Sequence, residues 1–422
     1  MRKIISNEVI EAIENRESIL QWIPKSFESY VNKEFLTVEC KYTTKDGNKN
    51  ILSRNMEVNT DFIFDLTHKL ICKVFRTDDN IFYLNSTVFR KLYGANYKYV
   101  VQFLVNVGFL KKVKNHCAGK SSRKYEVNKD LFNIPDSKIR IYNTNKTILN
   151  KYKRTFYNSQ FIDLCADESQ SITTLSPIKK LLAHDLLFVE IDIHESKRYL
   201  DYLYKSGQIQ DLAYNKNLMS VEEIAHKQPY FTEDKYGRFH TNFTTLKSHI
   251  RSSFLKIDGH AVCETDIKNS QPRLLIQLLK ETGFDKKEPI EFKRYFETVK
   301  NGLIYEEIME CSSLTRAEAK TLIYKVFFGK NYETCRLNKI FKNLYPRIFE
   351  WMKQYKKDDS KVLAHKLQII ESKLIFQNIC IKIKKEMPDI KMFTVHDSIY
   401  YPTHFKERVE TIFFKEIESI LE

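Results

Sequence analysis

The chain has 422 residues, 42% of them hydrophobic and 29% charged, with 69 Lys and Arg against 54 Asp and Glu. Only 10 Gly and 9 Pro occur, which excludes a chain built of long disordered linkers and leaves room for two or three folded domains. A net charge of +15 and a pI near 9.1 favour a polyanionic partner, because each phosphate that Lys or Arg neutralises releases counterions. Part of that excess accompanies heavy use of Lys, Asn and Ile, as AT-rich coding would give. The eight cysteines form no close CxxC pair and read as reduced thiols, not as a zinc site or disulfide framework. The opening MRKIISNEVIEAIENRESI is amphipathic and lacks a signal peptide's apolar core, and no apolar run approaches a membrane span. A soluble cytoplasmic protein with no membrane partner is expected.

Residues 1–55 mix a short helical pattern with the polar stretch TTKDGNKN and carry no assignable role. FIFDLTHKLICKVF then spaces its apolar residues as a helix does. A second helix is expected in NSTVFRKLYG with Ser86 as its N-cap, and a third in NYKYVVQFLVNVGF. Two strand-like runs, 110–113 and 124–127, flank a basic turn of small residues. Three helices and a basic hairpin in this order resemble a winged helix-turn-helix, and a domain at 56–135 is expected on that basis. The resemblance implies that Tyr97 and Lys98 lie on a helix entering the DNA major groove. It also implies that Lys114, Lys120, Arg123 and Lys124 touch phosphates from the wing. Residues 136–236 are charged and helical in pattern, a helical linker or thumb-like region.

Four patches between residue 237 and the C-terminus carry chemistry. YGRFHTNFTTLKSHIR supplies Arg238 and Arg251, either of which could reach a nucleic-acid backbone. In HAVCETDIKNSQPRLLIQLL an apolar strand-like run ends at Asp266 before the pattern turns helical. A carboxylate at a rigid strand end is a good ligand for a hard divalent cation. In SSLTRAEAKTLIYKVFFG, residues Arg316, Lys320, Tyr324 and Phe328 recur every four positions on one helical face. Two cations and two aromatics in a stripe can grip a triphosphate and stack on a base. In KMFTVHDSIYYP two apolar runs flank His396-Asp397-Ser398, which reads as a β-hairpin presenting Asp397 at its turn. Each patch alone has a bland reading: a cap, an amphipathic surface helix, a turn, a solvated arginine.

Taken in order, the four resemble the family A polymerase superfamily, the right-hand fold of bacterial repair-type DNA polymerases and single-subunit phage-type RNA polymerases. Asp266 and Arg273 match its first palm motif. Arg316, Lys320, Phe328 and Gly329 match its fingers-helix spacing R-x3-K-x7-[YF]-G. Val395-His396-Asp397-Ser398 matches the second palm motif, and Gly237-Arg238 has an upstream counterpart. The helix LQIIESKLIFQNICIKIKK lies where that family places a palm helix.

The resemblance implies an α+β chain in which a winged helix-turn-helix precedes a palm, reduced fingers and a helical thumb, with the polymerase palm and fingers at 237–422. It further implies two Mg²⁺ ions, or Mn²⁺ as substitute, on Asp266 and Asp397, a DNA template and primer, and dNTP or NTP substrates. Arg316 and Lys320 would bind the β- and γ-phosphates, with Lys320 as proton donor to the leaving group. Tyr324, Phe328, Gly329 and Gln271 would surround the nucleotide. Arg238, Arg251, Arg273 and His396 would support primer and template. Two positions depart from the DNA-synthesising pattern: Gln271 stands where a Glu blocks a 2′-hydroxyl, and Phe328 where Tyr is usual. Their bulk and missing hydroxyl tilt the expectation to deoxynucleotides. The leading expectation is therefore a DNA polymerase of a plasmid, virus or mobile element. Its rivals are a primase or phage-type RNA polymerase, and a DNA-binding replication initiator with an inactive palm.

Overall fold

The computed structural model describes residues 7–43, 51–114, 123–158, 160–162, 172–330, 332 and 335–421. The protein is α+β, with many helices and small antiparallel sheets. It divides into two compact units, Met1–Thr232 with Thr241–Gly259, and Glu233–His240 with His260–Glu422.

In the first unit, β1 (Ile19–Pro24) is buried along its whole length and pairs with β7 (Lys138–Asn143), Ile19 opposite Asn143. A long hairpin joins β2 (Phe35–Thr43) to β3 (Ile51–Asn59). There follow α1 (Thr60–Thr77), β4 (Ile81–Leu84), α2 (Ser86–Tyr93), α3 (Tyr97–Asn106), β5 (Leu110–Lys114) and β6 (Arg123–Val127). The last three strands form one sheet in the order β4-β6-β5.

The N-cap of α2 is Asn85, not Ser86. Asn85 Oδ1 accepts from the amides of Thr87 at 3.0 Å and Val88 at 3.3 Å, a role in which Asn and Ser serve equally well. β4 escapes a periodicity reading because four residues are too few to show alternation. The domain boundaries expected near residues 56 and 135 fall inside a single core. Trp22, Phe27 and Leu36 share it with Ile63, Leu70, Val101 and Ile141. A strand buried on every residue has no alternation to read, and its partner lies more than a hundred residues away.

In the second unit, β8 (His260–Asp266) pairs with β10 (Ser398–Pro402), which also pairs with β9 (Phe393–Val395). After β8 the sequence supplies α5 (Ser270–Glu281), whose Leu274, Leu275, Leu278 and Leu279 are fully buried, an i, i+3, i+4 stripe. Beyond two further helices, Phe284–Lys287 and Pro289–Lys300, lie α6 (Ile304–Glu310) and α7 (Arg316–Phe328). A long helix begins as α8 (Val362–Ser372), is wound as a π-helix over Lys373–Cys380, and returns to α geometry over Ile381–Glu386. Such widened turns concentrate at functional places because they re-aim the side chains beside them.

Candidate active site

Asp266 is the last residue of β8 and stands opposite Ser398. Val395 pairs with Ser398, so His396 and Asp397 form a two-residue turn. A turn of that length needs positive φ at its first position, and His396 supplies it at 55°. Non-glycine residues reach this region at some cost, and the hairpin holds it. Phe393 stacks on Tyr400 across the strands, ring centres 4.7 Å apart. Asp397 thus immediately precedes the residue opposite Asp266, and two carboxylates from distant segments become neighbours. After Asp266 the backbone turns sharply through Asn269, φ 54°, and α5 starts at once.

A cavity of about 660 Å³ opens there, lined by Asp266, Asp397, Ser270, Gln271, Arg273, Tyr305, Arg316, Lys320 and Tyr324. Burial and the like charge of Asp266 push the Asp397 carboxyl above its ordinary range, against hydrogen bonding and the pull of Arg238. Ser270 Oγ lies close enough to favour the ionised carboxylate, although it makes no well-formed hydrogen bond. Gln271 Oε1 and Arg273 Nε are likewise buried without partners. Ser270, Gln271 and Arg273 thus each keep a buried polar atom without a well-formed protein partner beside this cavity.

The helix α7 carries its residues on a firm start. Thr315 and Glu318 cap each other reciprocally, a capping box. Arg316 pairs with Glu306 and lies over the Tyr305 ring, 5.5 Å from its centre. Lys320 is exposed and makes no ion pair among the described residues. Tyr324 is 43% exposed. Burial, then the charges of Asp397 and Glu371, raise its hydroxyl pKa. Phe328 packs on Tyr324 at 5.5 Å but does not line the cavity. Gly329 terminates the helix, and a Cβ there would stand 2.5 Å from the Lys325 carbonyl oxygen. The buried Lys356 ammonium donates to the carbonyls of Val326 at 2.6 Å, Phe327 at 3.2 Å and Gly329 at 2.9 Å. The glycine is therefore needed for close backbone approach, not for positive φ.

Arg238 is placed by a residue that sequence reading passed over. Asp234 Oδ1 accepts from the amides of Tyr236 at 2.8 Å and Arg238 at 3.0 Å, shaping the tight turn through Gly237, φ 83°. His240 Nε2 is 2.9 Å from the other Asp234 oxygen, and its ring meets that of His396 edge-on at 6.0 Å. Arg238 Nε donates to Glu371 Oε1 at 2.9 Å, and Glu371 Oε2 accepts from Gln271 Nε2 at 2.9 Å. Glu371 was also missed; its signal is a lone carboxylate inside the apolar helical run LQIIESKLIF.

Burial raises the Glu371 carboxyl from 4.5 to about 7, opposed by Arg238 and reinforced by Asp397. The folded state therefore binds a proton that the unfolded chain releases near pH 4.5. This contribution is full below pH 4.5 and is lost as pH rises to about 7, roughly 3 kcal/mol for such a shift. Glu371→Gln is expected to flatten the fall in melting temperature over that window; an unchanged slope would refute the assignment.

The remaining expected residues lie elsewhere. Arg251 belongs to the first unit and donates to the carbonyls of Phe243 at 3.3 Å and Leu246, so it holds a turn. On α3, Lys98 is exposed, whereas Tyr97 is half-buried against the first unit's core. Lys114 and Arg123 are exposed and Lys124 is half-buried; Lys120 lies outside the described residues.

Among the described residues, His68, Cys72 and Glu223 bring their ligand atoms within 4.8 Å of one another. They make an internal network. The Trp22 amide donates to His68 Nδ1 at 2.9 Å, which puts the ring proton on Nε2 and removes that lone pair from any metal. Burial lowers the His68 pKa to about 3 and raises that of the Cys72 thiol. None of the described cysteines is in a disulfide. No helix among the described residues is long and apolar enough to cross a membrane.

No protein-family model matches the chain, and no curated protein matches it in sequence.

Proposed function

We propose that this chain is a template-directed nucleic-acid polymerase working on a DNA template and primer, in the service of a plasmid, virus or other mobile element. One observation carries the reading. Asp266, Asp397, Arg316, Lys320 and Tyr324, drawn from three separate segments, line one cavity. In this reading β8, β9 and β10 are the palm, and α7 is the main helix of reduced fingers. A helical thumb falls among residues 136–236.

The donor set suits Mg²⁺ or Mn²⁺. Two carboxylates are hard oxygen ligands, and burial beside a like charge leaves Asp397 short of a cation. When bound, such ions would supply Lewis-acid activation of a primer hydroxyl and charge neutralisation at the departing pyrophosphate. Arg316 would leave Glu306 to bind a triphosphate oxygen, an exchange favoured by the greater charge of the phosphate. Lys320, one turn on, would bind the adjacent phosphate and hold a proton at Nζ for the leaving group. Tyr324 would offer its exposed ring to the base. Arg238, steadied by Glu371, and His396 at the hairpin turn would face the primer terminus.

In the first unit, the succession α1, β4, α2, α3, β5, β6 with sheet order β4-β6-β5 supports a winged helix. Its strand β5 exposes Lys111, Lys112 and Lys114, a surface suited to phosphates.

The test is incorporation of labelled dNTPs or rNTPs on primed and unprimed DNA, with Mg²⁺ and with a chelator. Metal-dependent extension of the primed template by dNTPs is expected. No incorporation of either set would end the polymerase reading, and rNTP incorporation alone would replace a DNA polymerase by a primase or RNA polymerase.

A further inference from the structure

Tyr142, on β7, is 58% exposed, and its hydroxyl lies 3.2 Å from His226 Nε2. The two are 84 residues apart and are brought together by a fixed frame. His226 is the C-cap of α4 (Asp211–Ala225), and Arg16 donates to its carbonyl at 3.0 Å. Two residues on, the buried Gln228 accepts from the Leu20 amide at 2.9 Å and donates to the Leu20 carbonyl at 2.8 Å. Leu20 is the residue opposite Tyr142 in the β1–β7 pair. On its other side, His226 Nδ1 is 2.8 Å from the Glu222 carbonyl oxygen. A carbonyl can only accept, so in the neutral ring Nδ1 carries the proton and Nε2 turns its lone pair to the tyrosine hydroxyl. A hydroxyl donating to an imidazole whose far nitrogen is fixed by a third group is the arrangement of an activated nucleophile.

The charges beside this pair suit a phosphate. Arg140 stands two residues before Tyr142 on the exposed face of β7, and its side chain is 43% exposed. Among the described residues only its Nη1 is engaged, with the two Glu222 oxygens at 2.9 and 3.1 Å. Nη2 and Nε are left for phosphate oxygens. Lys197 pairs with the same carboxylate. The C-terminal end of α4 favours positive charge on His226 as it takes a proton. We infer that Tyr142 is a nucleophile toward a phosphodiester of single-stranded DNA. Its Oη bonds to phosphorus, the bond from phosphorus to the 3′-oxygen breaks, and the tyrosine proton passes through His226 Nε2 to that oxygen. The products are a strand joined to Tyr142 by its 5′-phosphate and a strand with a free 3′-hydroxyl. The chain thereby makes its own primer. The direction of cleavage rests on the polymerase reading, which needs a 3′-hydroxyl to extend; the nucleophile rests on the first unit alone.

The experiment incubates the full chain and Mg²⁺ with a random-sequence single-stranded oligodeoxynucleotide, radiolabelled at either its 3′ or its 5′ end. Denaturing electrophoresis then reports label bound covalently to protein. Transfer of the 3′-end label is expected. Tyr142→Phe, which loses only the hydroxyl, is expected to abolish it, and His226→Gln to slow it by roughly 10²-fold or more. Extension of a supplied primer should be the same in both variants as in wild type. The random pool offers every short sequence, so wild-type protein that acquires no label would overturn the inference. An adduct that survives in Tyr142→Phe would do the same. Transfer of the 5′-end label instead would mean that the 3′-oxygen stays on phosphorus, which overturns the primer-making role. Wild-type protein that takes up the 3′-end label yet extends no supplied primer would overturn the polymerase reading and leave Tyr142 standing as the nucleophile.

Discussion

Asp397→Asn is expected to lower nucleotide incorporation by at least ~10³-fold, while the protein melts at the same temperature or a higher one. The two effects have one origin. In the folded chain Asp397 is half-buried with Asp266 as its neighbour, and both push its pKa above the ordinary carboxylate value. The charged form is therefore disfavoured in the free protein, and a neutral side chain of equal size relieves that. The same charge is what a divalent cation would need. In the proposed reading Asp397 is one of two carboxylates that would hold such a cation, and its loss would forfeit several kcal/mol of charge stabilisation at the reacting phosphate, each 1.36 kcal/mol being about a factor of ten. The check is primer extension beside a thermal melt at neutral pH. Incorporation within about tenfold of wild type would remove Asp397 from the site. Loss of both activity and fold would show that the turn needs the aspartate for its own structure.

Arg76→Met is expected to destabilise the first unit by about 3–5 kcal/mol. Arg76 Nη2 donates to both oxygens of Glu223, at 2.5 Å and 2.7 Å, and its guanidinium lies 3.7 Å from the Tyr230 ring centre. Asn242 Nδ2 also donates to Glu223. The Glu223 side chain is only 5% exposed, so removing Arg76 strands a charge that water cannot reach. Breaking such a pair costs far more than the pair contributes over a neutral substitute. The double variant Arg76→Met with Glu223→Gln should recover most of the loss. The chain has two tryptophans, Trp22 in the first unit and Trp351 in the second. Urea unfolding of a Trp351→Phe background, followed by Trp22 fluorescence, therefore reports this unit alone. A loss below about 1 kcal/mol would mean that water or rearrangement accommodates Glu223.

Much of the candidate site is legible in the chain because its spacing is helical or strand-bound. Arg316, Lys320 and Tyr324 fall four apart, and a helix puts such residues on one face wherever it is packed. Asp397 lies between two short apolar runs that can only be a tight hairpin. Of the residues that escaped notice, Asp234 shapes its own turn through Tyr236, Arg238 and His240, whereas Glu371 acts through Arg238 and Gln271, which are far away in sequence. Nothing local distinguishes Glu371 from any carboxylate on a helix until Arg238 and Gln271 arrive beside it.

By itself the sequence determined that α1, α2, α3, α5, α7 and α8 are helical, where the hairpin turns, and that two aspartates, two cations and an aromatic recur in a polymerase-like order. These are matters of local periodicity and turn chemistry, which a chain expresses without knowing its neighbours. Only the tertiary structure decided that β1 joins the core of α1 to α3, since its pairing with β7 is non-local and its burial leaves no alternation. Only the tertiary structure brought Asp266 opposite Ser398, and with it Asp397. It also turned Gln271 from a bulky side chain into an oriented amide, because the direction of an amide is set by what its nitrogen touches, here Glu371 held by Arg238.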